Sequence, residues 1–191
     1  MGDIMEKLLE VNNLSISFTQ YVQGLNRHDL KVISDLTIDI NESEIVAVLG
    51  SSGSGKSLLA HSILGILPYN SNVTGEIKYE GAVLDQELKE KLRGKEICLI
   101  PQSVNFLDPL MEVSEQAIGE CKDEAEHAEK KKRQREIFAK YGLDESVDDL
   151  YPFELSGGMA RKVLLSTALI GDPKLLIADE PTPGLDKKSV I

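Results

Sequence analysis

The sequence is poor in basic side chains, cysteine and long apolar runs, and each shortage excludes a class of protein. Its 32 acidic side chains against 21 basic ones give a formal charge of −11 at pH 7, which argues against nucleic acid or an anionic membrane surface as the main partner. Cys98 and Cys121 show no metal-type or CxxC spacing, so we interpret them as reduced thiols of a cytosolic protein. Apolar runs such as Ile45 to Leu49 fall far short of the roughly 20 residues of a membrane helix, and residues 1–10 lack the pattern of a secretory signal.

The N-terminal part of the chain has the patterns of β-strands. A length of 191 residues suits one α/β core with an inserted subdomain. Residues alternate between apolar and polar at Leu14 to Phe18 and Leu36 to Ile40, the period of strands with one buried face. Tyr21 to Leu30 has no clear period and is predicted to be a loop. Ile45 to Leu49 is a continuous apolar run, which predicts a strand buried on both faces of a parallel sheet.

The second half has a long helical pattern between two short apolar runs. Ile97 to Ile100 and Lys174 to Ala178 predict buried strands, and Val113 to Tyr141 predicts a long charged helix. We therefore expect a mostly helical subdomain over about residues 103–170, inserted into the α/β core. Within it, Glu126 with Lys130 and Glu129 with Arg133 have the i,i+4 spacing of a self-paired, solvated helix face. The alternative is a partner-docking patch around residues 130–133.

A glycine-rich loop from Gly50 to Ser57 follows the first apolar run. Its GxxxxGKS pattern lets backbone N–H groups converge on phosphate oxygens, and the next helix, predicted to be stopped by Pro68, adds its positive N-terminal end. Lys56 is predicted to bridge the β- and γ-phosphates of a triphosphate, and the Ser57 hydroxyl to join the Mg²⁺ shell.

Two carboxylates, Asp179 and Glu180, end the last apolar run. Neighbouring residues on a strand point to opposite faces, so the two carboxylates are expected to do different work. We assign Mg²⁺ coordination to Asp179, and orientation of the water that attacks the γ-phosphate to Glu180.

The segment Leu155 to Met159, LSGGM, opens a further helix. Ser156 is a candidate N-cap, and two glycines permit close backbone approach. Taken in order, the phosphate loop, this segment and the paired carboxylates resemble an ATP-binding cassette (ABC) ATPase. The fold implied is α/β, a P-loop NTPase core with an N-terminal antiparallel β subdomain and an inserted helical subdomain. The implied domain spans residues 1–191 and is incomplete at its C-terminus.

The resemblance implies a site shared between two chains. Ser156, Gly157 and Gly158 would contact the γ-phosphate of an ATP held by the phosphate loop of a second ABC subunit, identical or not. Gln102 matches the glutamine that senses Mg²⁺ and the γ-phosphate, and Phe18, with Tyr21 as fallback, matches the aromatic residue that stacks on adenine. Asp186 matches a residue at the dimer interface. The residues implied to bind nucleotide are Phe18, Gly50, Ser51, Ser52, Gly53, Ser54, Gly55, Lys56, Ser57, Leu58, Ser156, Gly157 and Gly158; those for catalysis are Glu180, Lys56 and Gln102, and those for Mg²⁺ are Ser57, Gln102 and Asp179.

Finer features resemble the ATPase subunits of dipeptide, oligopeptide and nickel importers, among them Met159 in the signature. The implied partners are transmembrane permease subunits and, indirectly, a solute-binding protein, and the implied place is the cytoplasmic face of the membrane. One departure from this group is the run Ala160 to Lys162, where an Arg-Gln-Arg run is usual. The alternatives are a soluble ABC ATPase without a permease, and a nucleotide-binding module with impaired hydrolysis.

A second departure concerns a histidine. The family's switch histidine lies some tens of residues after the catalytic glutamate, whereas His28, His61 and His127 all precede Glu180, which 11 residues follow. We therefore expect this sequence to be a fragment or truncation of a longer subunit, the alternative being a naturally short protein with impaired turnover.

Overall fold

The computed structural model describes residues 6–22 and 26–180. The chain divides into two compact units, residues 1–92 and residues 93–191. Each unit is described below by itself. None of the helices among the described residues is long and apolar enough to span a lipid bilayer.

The first unit is built on an antiparallel sheet whose strands lie in the order β2-β1-β3-β4. Leu9, Val11, Leu14 and Ile16 of β1 are almost fully buried, so this central strand supplies much of the core. The sheet confirms the strands predicted from the alternating pattern. The strands are β1 (Lys7–Val22), β2 (Asn26–Asn41), β3 (Ser71–Tyr79) and β4 (Ala82–Val83).

The loop predicted for Tyr21 to Leu30 is wrong over residues 21–22, which belong to β1, and over residues 26–30, which belong to β2. There β1 and β2 pair to the end of the hairpin, as in the pairs of Phe18 with Leu30 and Thr19 with Asp29. Thr19 Oγ1 donates a 2.9 Å hydrogen bond to Asp29 Oδ1. Polar cross-strand contacts stabilise this part of the hairpin. The alternation of apolar and polar residues that predicts a strand is therefore missing from its sequence.

The buried strand predicted for Ile45 to Leu49 is also wrong. These residues form no strand, and the side chains of Ile45 and Leu49 are 97% and 91% exposed. An apolar run becomes a buried parallel strand only where neighbouring strands bond its N–H and C=O groups. Within residues 6–22 and 26–180, the parallel pairing of strands joins only β5 (Ile97–Ile100) to β6 (Leu175–Ala178), both in the second unit.

Two helices complete the first unit, α1 (Lys56–Leu64) and α2 (Gln86–Leu92). The helix after the phosphate loop ends four residues before Pro68, earlier than predicted. It ends there because the N–H groups of Gly65 and Ile66 bond back to the carbonyls of Ser62 and His61. Leu59, Ile63 and Leu64 of α1 are buried.

The second unit contains a two-stranded parallel sheet, β5 (Ile97–Ile100) with β6 (Leu175–Ala178). The buried strand predicted over Lys174 to Ala178 forms, but it is buried only in part: Leu175 is buried, whereas Leu176 and Ala178 are exposed. Cys98 and Ile100 pack with Ala168 and Leu165 of the helix α5 (Gly157–Ile170), and Leu176 lies outside that buried cluster.

The segment between β5 and β6 is mostly helical. The long helix predicted for Val113 to Tyr141 is two helices, α3 (Val113–Ile118) and α4 (Glu124–Lys140). Gly119, at the C-terminus of α3, has a φ of 66°, and Asp123 then caps α4 by accepting a hydrogen bond from the Glu126 amide. Helices α3, α4 and α5 bury one cluster, which includes Val113, Phe138, Leu143, Val147, Val163 and Leu164. The 3₁₀ turns are Val104–Phe106, Glu145–Val147 and Pro152–Glu154.

Only one of the two ion pairs predicted on α4 forms. Lys130 pairs with Glu126 at 3.2 Å, whereas Arg133 pairs at 2.8 Å with Asp172, beyond the end of α5. Arg135 holds Asp148 at 2.6 Å. The basic side chains of α4 are therefore divided between self-pairing and contacts that fix α4 within its own unit.

Candidate functional site

The phosphate loop, Gly50 to Ser57, lies in the first unit and leads directly into α1. Lys56 turns back over the loop, and its Nζ donates hydrogen bonds of 2.9 Å to the carbonyls of Gly50 and Ser51. A Cβ atom at Gly50 would lie 2.5 Å from Ser54 Oγ, so a side chain there would force the Ser54 hydroxyl to move. The ammonium group is held over a ring of backbone atoms.

The loop also needs glycine where α1 begins. Gly55 has a φ of 94°, and a Cβ atom there would meet Ile33 Cγ1 of β2 at 2.9 Å. Gly55 is the N-cap of α1 and has no side chain to bond the N–H groups of the first turn. Those donors, the helix dipole and the Lys56 ammonium form an arrangement that fits phosphate oxygens. Leu58, predicted to bind nucleotide, lies half-buried in this turn.

The carboxyl edge of the parallel sheet, in the second unit, holds Gln102, Asp179 and Glu180. The pairing of Ile100 with Ala178 ends the ladder, and the Asp179 amide donates to the Ile100 carbonyl at 3.0 Å. Gln102 lies just after β5 and Glu180 just after β6, and their side chains meet: Gln102 Nε2 donates a hydrogen bond to Glu180 Oε2 at 2.5 Å. The structure thus brings together two predicted site residues that are 78 positions apart. Asp179 is half-buried, and Glu180 is exposed.

Arg161 joins this edge from α5, and sequence reasoning did not assign it a role. It is 2% exposed, and its guanidinium donates to the carbonyls of Pro101 at 2.7 Å, Gln102 at 2.5 Å and Glu180. The available signal was its position: Arg161 lies on the same face of α5 as the buried Leu164 and Ala168, where an arginine needs polar partners.

The predicted N-cap of α5 is confirmed, since Ser156 Oγ accepts a 3.2 Å hydrogen bond from the Met159 amide. Ser156 and Gly157 are exposed and Gly158 is half-buried, while Met159 packs against the helical core. The start of α5 therefore presents small residues and free backbone at a helix N-terminus, an arrangement suited to an anion.

Three further positions were predicted to contribute to the site, Phe18, Tyr21 and Asp186. Phe18 lies in β1 between Leu30 of β2 and Ser71 of β3, and is half-buried. Its role as an adenine contact stays a prediction. The side chain of Tyr21 and the whole of Asp186 lie outside the described residues.

Known proteins resemble the chain in sequence and in fold. A family profile described as ABC transporter matches residues 33–183. The chain is 34% identical to the dipeptide transport ATP-binding protein DppD of Lactococcus lactis subsp. cremoris over 95% of its length and 53% of the relative's. It is 37% identical to the oligopeptide transport ATP-binding protein OppD of Bacillus subtilis, over 94% and 52%. It is 35% identical to the metal-staphylopine import system ATP-binding protein CntD of Staphylococcus aureus, over 94% of this chain and 66% of that protein.

Solved structures also resemble the chain. A bacterial ABC transporter cassette solved as a dimer superposes with a TM-score of 0.77 at 25% identity, covering 96% of this chain and 78% of that one. A dimeric ATP-binding cassette in a post-hydrolysis state with ADP and Pi gives a TM-score of 0.76 at 25% identity, covering 95% and 78%. The present chain spans about half the length of the dipeptide and oligopeptide relatives that it matches. On the match of its family profile, the order of its motifs and its α/β fold, the chain belongs to the ABC transporter family.

Proposed function

We propose that the chain is the ATP-binding subunit of an ABC importer, which binds MgATP and hydrolyses it to drive uptake of peptides or a related small solute such as nickel. The observation that carries this proposal is the 2.5 Å contact between Gln102 and Glu180 at the carboxyl edge, in a chain whose phosphate loop has the geometry of an anion site. Relatives named for dipeptide, oligopeptide and metal-staphylopine transport support the class of solute. The proposed domain covers the whole chain, with a helical subdomain over about residues 103–170.

In this proposal the phosphate loop holds the nucleotide of its own subunit. Lys56 exchanges its bonds to the carbonyls of Gly50 and Ser51 for bonds to the β- and γ-phosphates. The N–H groups at the start of α1 bond the same phosphates. Ser57, Gln102 and Asp179 are the residues that would hold Mg²⁺, which neutralises charge developing on the phosphate oxygens.

Glu180 is the proposed general base. Its carboxylate is exposed and accepts a hydrogen bond from the side-chain amide of Gln102, a bond that it can exchange for one to a water molecule. Phosphoryl transfer depends on positioning and electrostatic stabilisation. The place of Gln102 beside this carboxylate supports its role as the residue that reports the state of the site.

The site is proposed to be completed by a second ABC subunit. Ser156 to Gly158 would contact a γ-phosphate bound by the partner, which agrees with the exposure of Ser156 and Gly157 at the start of α5. The similar solved cassettes are described as dimers. Whether the two subunits are identical does not change the chemistry.

Permease subunits are the proposed membrane partners, and they would hold the chain at the cytoplasmic face of the membrane. Four large apolar side chains of the helical segment are exposed: Phe106, Leu110, Met111 and Phe153, at 64%, 87%, 43% and 73%. They lie on two segments that pack on the same core through Leu107 and Leu155. Exposed apolar side chains of this size are typical of interaction surfaces. A solute-binding protein would act only through the permease, and no nucleic acid is involved.

Co-purification and reconstitution test this proposal. The full-length subunit, expressed with candidate permease subunits from its own genome, is expected to enter the membrane fraction with them. In proteoliposomes it should hydrolyse ATP faster when a peptide-loaded binding protein is present. Association with ribosomes and no permease would contradict an importer. Binding of ATP without hydrolysis, even with the permease present, would contradict the motor function.

A further inference from the structure

The side chain of Arg161 connects both segments of the carboxyl edge to α5. Its guanidinium, 2% exposed, reaches the carbonyls of Pro101 and Gln102 after β5 and that of Glu180 after β6. A guanidinium offers five N–H donors in a rigid plane, so one side chain can hold two chain segments at once. We propose that Arg161 is a positioning residue, which fixes the backbone of these segments so that the side chains of Gln102 and Glu180 meet. The inference rests on the proposed function of those two residues.

Both segments need such support because they have left the sheet. The ladder between β5 and β6 ends at Ile100 and Ala178, and the Asp179 amide makes the last bond between the strands. Glu180 then has a φ of 48°, a left-handed conformation that a residue with a side chain rarely adopts without constraint. Arg161 bonds the carbonyl of this residue. The arginine therefore acts where the backbone is least supported by the sheet.

The position of Arg161 on α5 gives the contact a second consequence. Arg161 follows Gly157 by one helical turn on α5, and Ser156 caps the same turn. A shift of the start of α5 is thus carried to the backbone of Gln102 and Glu180 through a single buried side chain. The proposed contact of Ser156 to Gly158 with a partner's nucleotide would reach Glu180 by this route.

A shorter side chain cannot make the same set of contacts. A glutamine amide has two N–H donors, too few for the three carbonyls that the guanidinium bonds here. Lysine keeps the charge, but its ammonium is a compact point charge without the planar fork. These two residues and methionine form a graded series for a test.

The test compares Arg161→Lys, Arg161→Gln and Arg161→Met in the full-length subunit assembled with its permease, with Lys162→Gln as the control on the same helix. Binding of ATP is measured at equilibrium, and hydrolysis as kcat and KM. We expect Arg161→Met to lower kcat about 10- to 100-fold, the size of effect that a misplaced catalytic group produces, with ATP affinity and KM changed less than about twofold. Arg161→Lys and Arg161→Gln should lie between it and the parent. An unchanged kcat in Arg161→Met, or an equal loss in Lys162→Gln, would overturn the proposal.

Amide hydrogen exchange without nucleotide gives a readout independent of activity. The Asp179 amide should exchange faster in the Arg161 variants, while the amides of β1 in the first unit keep their rates. Faster exchange spread evenly over α4 and α5 would overturn the proposal, because it would mean that Arg161 only stabilises the fold. If Arg161→Met fails to fold, Arg161→Gln decides on both readouts. If the parent subunit hydrolyses no ATP, the proposed function fails, and the exchange of Asp179 still decides on Arg161.

Discussion

The phosphate loop and the carboxyl edge are built in opposite ways. The loop is local: Lys56 bonds carbonyls that lie five and six residues before it, and α1 begins at the same lysine. The carboxyl edge joins residues far apart in sequence, Gln102 to Glu180 across 78 positions and Arg161 to Pro101 across 60. A local site depends on the residues of one motif, whereas an assembled site depends also on the packing of the helices and strands that bring its parts together.

The largest expected effect on ATP binding tests the local site. Lys56→Ala removes the only side-chain charge of the loop, together with its two bonds to loop carbonyls. A charged hydrogen bond contributes about 1.5–3 kcal/mol. Because the bonds to phosphate replace bonds to loop carbonyls, the net loss should equal about one such bond, which lowers ATP affinity about 10- to 100-fold. Isothermal calorimetry measures this loss. The control is Lys91→Ala on α2, an exposed lysine of the same unit, which should bind as the parent does; equal losses in both would contradict a specific role for Lys56.

The next effect tests which aromatic residue of the first unit contacts the adenine of ATP. Phe18→Leu keeps an apolar side chain at a half-buried position of β1 but removes the aromatic face, and base stacking on an aromatic side chain contributes about 1–3 kcal/mol. We expect about a tenfold loss of ATP affinity with the affinity for pyrophosphate unchanged. Tyr21→Leu is the matched variant. A loss confined to Tyr21→Leu would move the adenine contact to that residue.

These two regions also differ in how far the sequence predicts them. The loop was predictable because every group in it belongs to one short motif, and the Ser156 cap because capping is decided within four residues. The role of Gln102 was expected only through the family resemblance, and its contact with Glu180 was not predicted. Arg161 was missed because its three partners lie on two other segments, and no periodicity within α5 identifies them.

Two apolar runs show the physical limit of the pattern itself. Ile97 to Ile100 and Ile45 to Leu49 both predict buried strands, but only the first forms one, and Ile45 is 97% exposed. The difference lies in their neighbours. β5 has β6 beside it and α5 against its face, so its backbone and side chains are both satisfied. An apolar run becomes a buried strand only where other segments of the chain bond its backbone and cover its side chains.

A smaller effect separates folding from function at the start of α5. Ser156→Ala removes the bond to the Met159 amide and should lower the free energy of unfolding by about 1 kcal/mol, as measured by urea denaturation. Ser156→Asn can restore the cap. If Ser156→Asn recovers stability but not ATP-driven dimerisation, the hydroxyl acts on the partner's nucleotide. Full recovery of both would limit Ser156 to capping.

The smallest effect is a pH dependence at the start of α4. Two contacts lower the pKa of Glu126 below its ordinary value: the larger cause is the hydrogen bond from the Lys122 amide, and the second is the bond from the Lys130 ammonium. A lowered pKa in the folded state contributes stability that is complete above the unfolded pKa and is lost as the pH falls through the folded one. The stability gap between the parent and Glu126→Gln should therefore be constant near pH 7 and shrink below about pH 4. Urea denaturation at several pH values measures it, with Glu129→Gln as control; a gap that widens in acid would contradict the assignment.

The central claim is that the local loop binds ATP and that the assembled edge hydrolyses it between two subunits. Glu180→Gln tests it most directly, by equilibrium ATP binding, steady-state hydrolysis and light scattering in MgATP on one preparation of the full-length subunit. We predict parental ATP affinity, hydrolysis reduced about 100- to 1,000-fold, and a dimer that persists while ATP is present. A variant that hydrolyses ATP at the parental rate, or that binds ATP and stays monomeric, would contradict the claim.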